Sequence, residues 1–521
     1  GDHDVKIRFL LFSLFLTCFG VSAAAQTNAP APYGPVPSER QLRWHETEVF
    51  ALIHYGLNTY TDREWGYGDE DPALFNPSRL DAGQVVAALK RGGMRGVILV
   101  AKHHDGFCLW PTRTTEHNIS RSPWRGGKGD LVREYADAAK KHGLCFGVYC
   151  SPWDRNSAAY GTPAYLPIYH GQLRELLTRY GTLFEVWFDG ANGGDGYYGG
   201  AREKRNIDRF TYYDWPTTWG LVRQLQPEAC IFGDVGPDCR WVGNEKGFAA
   251  EESWATFTPK GKTDPTRPAN GDTMNHIEGP AGHRNGTAWI PAECDVPLRK
   301  GWFWHPNEDA TVRTPAQLME IYFNSVGKGG CMNLGVAPDR DGLVCAADIR
   351  SLDEFGGLLK TLFANDLARG ARVTADQVRA APTAASGGGI APFAPARVLD
   401  GDRYSYWATD DGVTNATLTL TLQSVSEFNV IRLRENIKLG HRVDAFEIDV
   451  WQEGEWRGYA KGQSIGACRL FRGPKVKSDR IRLRITQAAA CPCISEVSLF
   501  VMPAALKFSS TEAPARAYPA H

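Results

Sequence analysis

The chain is 521 residues long, more than one hydrophobic core usually serves, so two or three domains are expected. Its 58 basic and 59 acidic residues nearly cancel, which removes any compositional argument for a nucleic-acid partner or a charged membrane surface. Sixteen Trp and nineteen Tyr are a high aromatic load; flat rings suit weakly polar ligand faces such as those of sugars, although large barrels and sandwiches also bury them as core.

Lys6 and Arg8 precede an apolar run over 9–21 and then Ser22-Ala23-Ala24-Ala25, the pattern of an export signal over 1–25. That run is too short to span a bilayer, and no later stretch is long and apolar enough, so no membrane span is expected. The protein is expected to be exported, periplasmic or secreted, with a lipid anchor at Cys18 as the minority alternative because Leu16-Thr17 precedes it. Cleavage leaves eleven of the twelve Cys, an odd number. Cys145, Cys150, Cys230 and Cys331 sit in apolar runs where a free thiol acts as a small hydrophobe, and no paired Cys-x-x-Cys motif marks a zinc site.

From 33 to 366 strand-like and helix-like patterns alternate. Strands are expected over 49–55, 96–101, 144–149, 184–188 and 229–233, with helices over 82–91, 131–142 behind an Asp130 cap, 166–180 and 218–225. An irregular stretch reaches 314, followed by a helix over 315–326, a strand over 332–336 and a helix over 347–363. Repeated βα units of this kind predict a parallel sheet closed into a (β/α)8-like TIM barrel. Residues 367–396, rich in Ala, Gly and Pro toward their end, read as a connecting segment. Short alternating runs at 417–422, 430–433, 445–451, 480–485 and 495–501, with no helices between, predict an all-β sandwich over 397–503, and the tail over 504–521 is expected to be disordered.

Barrel enzymes carry their chemistry where strands end. His54, then Lys102-His103-His104-Asp105, then Tyr149, then Asp189 all fall at such ends. Any one of them has an ordinary explanation, since an Asp caps helices and a His satisfies buried polar groups. Four in succession point to one shared mouth. Retaining glycoside hydrolysis needs two carboxylates about 5 to 5.5 Å apart, one a nucleophile and the other an acid and then a base. Asp189 is the candidate nucleophile and Glu245, in the loop after the fifth strand, the candidate partner, its ordinary alternative being a solvated loop Glu. His54, His103, His104 and an Asp also invite a metal. Adjacent histidines on an extended strand point in opposite directions, which favours their use as hydrogen-bond partners for sugar hydroxyls over a shared ion. Trp65, Trp187, Trp302 and Trp304 are candidates for stacking on a sugar face, with core packing as the alternative for most of them.

The series Ile53-His54-Tyr55-Gly56, Glu64-Trp65, Lys102-His103-His104-Asp105-Gly106-Phe107, Tyr149-Cys150-Ser151-Pro152-Trp153 and Glu185-Val186-Trp187-Phe188-Asp189-Gly190-Ala191 resembles the α-L-fucosidases of glycoside hydrolase family 29. The resemblance implies a metal-independent, retaining exo-hydrolase that releases terminal α-L-fucose through a covalent fucosyl-enzyme, with fucosylated oligosaccharides or glycoconjugates as partners and no cofactor. It places Asp189 at the nucleophile position and His54, Glu64, Trp65, His103, His104 and Tyr149 at positions that hold the fucose. The segments 236–245, 291–296 and 301–305 look like those of the subfamily specific for α-1,3 and α-1,4 linkages of Lewis-type glycans; Glu245 is the acid/base candidate there and Glu293 the reserve. The Gly-rich segment 193–200 departs from the usual pattern. Farther on, Arg397-Val398-Leu399-Asp400-Gly401-Asp402 with Tyr406-Trp407-Ala408 resembles a discoidin-like carbohydrate-binding module. Such modules can hold a structural calcium, and Asp400 and Asp402 suit either that or an ordinary turn. A reading from a different class remains: a secreted glycan-binding protein with an inactive barrel.

Overall fold

The computed structural model describes residues 28–380 and 390–504. The export segment, residues 381–389 of the connecting stretch and the tail from 505 onward lie outside the described residues.

Eight parallel strands close into a barrel in strict chain order. They are β1 (Val49–Ile53), β2 (Gly96–Lys102), β3 (Cys145–Cys150), β4 (Glu185–Trp187), β5 (Cys230–Gly233), β6 (Cys239–Trp241), β7 (Ala292–Pro297) and β8 (Cys331–Val336). Alternation along each strand splits the apolar residues into two cores. Phe50, Leu52, Ile98, Val100, Tyr149, Trp187 and Phe232 fill the barrel axis, whereas Val49, Ala51, Ile53, Val97, Leu99 and Val148 face the surrounding helices. Those helices include α1 (Glu39–Thr47), α2 (Ala82–Arg91), α3 (Leu131–His142), α4 (Tyr165–Arg179), α5 (Trp215–Leu225), α6 (Pro315–Asn324) and α7 (Ala346–Phe363). Asp130 caps α3 by accepting from Arg133 N at 2.9 Å, and Gly143 closes it in the left-handed conformation. Among the described residues no helix is long and apolar enough to cross a membrane.

Two barrel strands fall inside the stretch that reads as irregular. β6 starts level with the end of β5, Phe232 opposite Cys239 and Gly233 opposite Arg240. The chain therefore need not travel back along the sheet, and five residues join two parallel strands with no crossover helix. β7 is the other, and its Glu293 and Asp295 point along the axis and break the apolar pattern.

The second unit is one antiparallel sheet. It contains β9 (Arg372–Ala375), β10 (Trp407–Ala408), β11 (Ala416–Glu435), β12 (Val443–Gln452), β13 (Glu455–Gly462), β14 (Arg469–Ala488) and β15 (Cys493–Phe500). The runs at 417–422 and 430–433 are two halves of β11, whose pairing with β14 shifts register between Thr421 and Ser426 and again between Phe428 and Val430. These irregularities bend the strand so that Leu418, Leu420, Ile431 and Leu433 line a single core. β9 lies within the connecting segment yet pairs with β11. Asp400 and Asp402 accept the backbone N–H of Asp402 and Tyr404 at 3.0 and 2.8 Å, and Asp400 also pairs with Arg397 at 3.3 Å, the arrangement of a local turn. All eleven described cysteines are free.

A buried charge cluster joins the two units. Glu48, just before β1, pairs with Arg434 of β11 at 3.0 Å and with Arg403, while Arg434 also grips Glu496 of β15. Burial alone would raise the carboxyls, but the arginines hold Glu48 and Glu496 down to about 2. Replacing Arg434 with Ala leaves two buried carboxylates short of a cation, and a loss of about 3–5 kcal/mol is expected. The readout is the thermal unfolding midpoint; an unchanged midpoint would show that the cluster contributes nothing.

Candidate active site

Glu185, Trp187 and Asp189 share one face of β4 and its continuation, directed along the barrel axis. Asp189 sits at the mouth, accepting from Tyr149 Oη at 3.0 Å and from Ala191 N at 2.7 Å. Burial raises its carboxyl, and these two donors, which favour the charged form, oppose the rise. His104 Nε2 stands 3.9 Å from Asp189 Oδ2. Its Nδ1 lies 2.7 Å from Ser151 Oγ, whose proton goes to the Trp153 carbonyl at 2.8 Å. Nδ1 therefore donates, leaving Nε2 as an acceptor beside the carboxylate.

The adjacent histidines do not point apart. A register shift between Val100 and Lys102 puts Ala101 and Lys102 together on the outer side, where Lys102 Nζ reaches Gln172 Oε1 and Tyr165 Oη of α4 at 2.8 and 3.0 Å. The strand ends there and a turn follows, closed by Gly106 N donating to His103 O at 3.0 Å. Both rings then enter the mouth with centroids 4.1 Å apart. Burial pushes His54 and His103 well below their usual value and His104 down to about 3, so all three are neutral imidazoles. The His54 Nδ1 atom is buried without a partner. Among the described residues, the acidic, Cys and His side chains close enough to share an ion are Glu185, Cys239 and Glu293, not these histidines.

Aromatic rings line the opening. Trp65, 52% exposed, meets His104 and Trp153 edge-on at 5.1 and 5.6 Å. Trp302 lies 5.1 Å from His54, and its indole Nε1 donates to Glu245 Oε1 at 3.1 Å. Burial raises the Glu245 carboxyl, the Trp302 bond lowers it, and the charges of Asp189 and Glu64 raise it further. Glu64 accepts from the backbone of Trp302 and Phe303 and from His305. Asp189, Glu245, His54, His103, His104, Tyr149, Trp65 and Trp302 thus converge on one mouth, and Glu64 adjoins it through the Trp302 loop.

The α-L-fucosidase family model matches residues 19–362. Alpha-L-fucosidase 1 of Arabidopsis thaliana is 38% identical over 509 residues, 96% of this chain and 94% of its own length. The chain belongs to the α-L-fucosidases of glycoside hydrolase family 29. The solved structure of SpGH29 matches it with a TM-score of 0.81 at 37% identity, over 91% of this chain and 100% of the other. A family 29 fucosidase of Ruminococcus gnavus in complex with fucose matches with a TM-score of 0.79 at 29% identity, over 93% and 99% of the two chains. The protein is accordingly a glycoside hydrolase with α-L-fucosidase activity.

In this fucosidase Glu293 lies beneath the mouth, 0% exposed. It accepts from Trp187 Nε1 at 2.8 Å and Asn333 Nδ2 at 2.7 Å. Its carboxyl faces that of Glu185, which accepts from Trp44 Nε1 at 3.1 Å, with Cys239 beside both. Burial raises both acids and the neighbouring Glu293 carboxyl lifts Glu185 well above the usual range, which favours keeping a proton on the pair. Two other acids escaped the motif reading. Asp295, two residues after Glu293 on the same axial face, keeps Oδ1 unpartnered and is pushed well up by burial and then by Glu245 and Glu293. Asp234, after β5, accepts from Gly271 N at 2.8 Å and is raised to about 6, by burial first and Asp189 second. The period-2 pattern on β7 could have flagged Asp295, and Asp234, the residue after the expected strand 229–233, carried the same strand-end signal as Asp189.

A proton kept on the Glu185–Glu293 pair makes folding pH-dependent. The folded pair holds a proton that the unfolded chain releases near 4.5, so its stabilising contribution is present below that pH and fades as pH rises through the raised folded value. Glu185→Gln supplies a permanent neutral partner, and its unfolding midpoint is expected to fall less steeply with pH than the parent's in parallel thermal scans.

Proposed function

We propose that this fucosidase cleaves terminal α-L-fucose with retention of configuration, preferring α-1,3- and α-1,4-linked fucose on branched, Lewis-type glycans. The observation that carries the reading is a pair of mouth carboxylates in contrasting environments: Asp189 bonded to Tyr149 Oη and Ala191 N, and Glu245 with the Trp302 N–H as its bonded donor. Burial raises both carboxyls, but two donors oppose the rise at Asp189, whereas Glu245 has one donor and the added charges of Asp189 and Glu64; a nucleophile more readily ionised than its acid partner is what double displacement requires. Asp189 Oδ attacks the anomeric carbon of fucose as its bond to the leaving oxygen breaks, and the Glu245 proton passes to that oxygen. Once Asp189 is an ester its charge no longer raises Glu245, which then takes a proton from water as the water oxygen displaces Asp189 from the anomeric carbon. Free fucose leaves, with both side chains restored.

The neutral imidazoles of His54, His103 and His104 supply hydrogen-bond partners for sugar hydroxyls without competing with Asp189 for charge, and Trp65 offers an exposed ring face. Fucose in the Ruminococcus gnavus neighbour supports the same sugar here. The linkage preference rests on the segments 236–245, 291–296 and 301–305, and export through the segment ending at Ala25 would place the enzyme among extracellular glycans.

Three substrates test the reading: a Lewis-type trisaccharide, an α-1,2-fucosylated oligosaccharide and a simple aryl fucoside. Fastest release from the first is expected; rapid cleavage of the aryl fucoside alone would overturn the linkage preference. Asp189→Ala should lower turnover on all three by roughly 10³-fold or more. Tyr149→Phe removes a bond that favours ionised Asp189 and thus raises its pKa. Because activity is lost as pH falls through that pKa, the acid limb of kcat/KM is expected to move to higher pH.

A further inference from the structure

Resemblance alone assigns Glu64 to the fucose hydroxyls, and its carboxylate is also engaged by a neighbouring loop. Oε2 accepts from Trp302 N at 2.9 Å; Oε1 accepts from Phe303 N at 3.2 Å and from His305 Nε2 at 2.7 Å. The approach is close enough that a Cβ on Gly301 would lie 2.3 Å from Oε1, so a side chain there would displace the Glu64 carboxylate. The other ring nitrogen of His305, Nδ1, lies 2.6 Å from Asp62 Oδ1. Both nitrogens therefore face carboxylates, and a carboxylate only accepts. Only an imidazolium donates from both, since neutral His would turn a lone pair toward one of the two acids. The loop so gripped carries Trp302, whose indole N–H is the bonded donor to Glu245.

We propose that Glu64 and His305 are positioning residues for proton transfer: the imidazolium of His305, bridging Asp62 and Glu64, holds loop 301–305 so that Trp302 fixes the Glu245 carboxyl toward the leaving oxygen. The proposal rests on the reading of Glu245 as acid/base. Three loops, after β1, β6 and β7, are joined through it into one relay of contacts. The groups facing His305 are Asp62 and Glu64 from the loop after β1 and Glu308 from its own loop; Arg340 lies over the neighbouring Trp304 ring, 5.8 Å from its centroid. Burial lowers the His305 imidazolium and the three acids outweigh it, so its pKa is raised. The bridge is therefore in place below that raised value and is lost as pH climbs through it, which loosens Trp302 at alkaline pH.

A pair of substrates separates this role from direct sugar binding. A Lewis-type trisaccharide has a poor leaving group that must be protonated; 2,4-dinitrophenyl fucoside has one that need not be. Both carry the same fucose. Glu245→Ala is the reference variant, expected to lower kcat/KM by roughly 10²–10⁴-fold on the trisaccharide and far less on the dinitrophenyl fucoside. His305→Gln and Glu64→Gln are expected to repeat that selectivity at smaller amplitude, roughly tenfold on the trisaccharide. In an imidazole NMR titration the resonance missing from His305→Gln should titrate above the ordinary value of 6.5 in the parent. Equal losses on both substrates would mean that Glu64 holds fucose or that the loop merely supports the fold, and would overturn the proposal while leaving the acid/base reading intact. Absence of selectivity in Glu245→Ala would bring both down, and a His305 that titrates at or below 6.5 would remove the imidazolium bridge.

Discussion

A closed eight-stranded barrel must fill its own axis, and here a hydrogen bond from Trp187 Nε1 to buried Glu293 ties the filling to the mouth. Above that bond the Trp187 ring stacks on Phe232 at 3.9 Å and on Tyr149 at 5.1 Å, and Tyr149 in turn lies parallel to His103 at 6.0 Å. The stack crosses the ends of β2, β3, β4 and β5. Below it, Glu185 and Glu293 face each other beside Cys239 and accept from the indole N–H groups of Trp44 and Trp187 and from Asn333 Nδ2. A buried acid pair costs desolvation free energy unless its hydrogen bonds are complete, and that need fixes where Trp187 stands. Tyr149, set by the stack, then fixes the Asp189 carboxylate.

The same dry interior sets the electrostatics of the mouth. Burial drives the three histidines neutral and pushes the carboxyl groups upward, so nearby donors decide which acid stays ionised. Asp189 has two such donors at 3.0 Å or less, whereas Glu245 has the Trp302 N–H and adds the repulsion of Asp189 and Glu64. Local donors thus distinguish two carboxyls that composition treats as identical.

The second unit braces the segment that carries Glu245. The loop over 242–291, which carries Glu245, is fastened to the sheet: Ala255 N donates to His441 Nε2 at 3.0 Å, and Glu252 accepts from the backbone of Gln463 and Ser464 at 3.0 and 2.9 Å. Arg469 of β14 holds Glu251 and Glu252 at 3.0 and 3.1 Å. Within the loop's footing on the barrel, buried Arg240 donates to the carbonyls of Gly279 and Trp254 at 3.0 and 3.1 Å, and to that of Ile290. Side chains from both units satisfy the backbone of this long irregular segment.

How much was legible beforehand depended on whether the signal was local. Six barrel strands announced themselves as apolar runs, and helix α3 as a capped periodic segment, because burial and capping act over a few residues. The mouth histidines, Tyr149 and Asp189 were visible as strand ends for the same reason. β6 and β7 were not, since one is three residues long and reached without a crossover, and the other carries Glu293 and Asp295 into the axis. The orientation of His103 and His104 depended on a register shift that only pairing with β3 reveals. Sequence by itself determined the βα repeat, the all-β second unit and the acids and rings that gather at one end. Tertiary structure alone decided that Glu293 belongs to a buried acid pair, that Glu64 grips a loop and that Glu245 meets Trp302, because those assignments turn on depth and on partners 40 to 241 residues away, distances at which the chain carries no local signal.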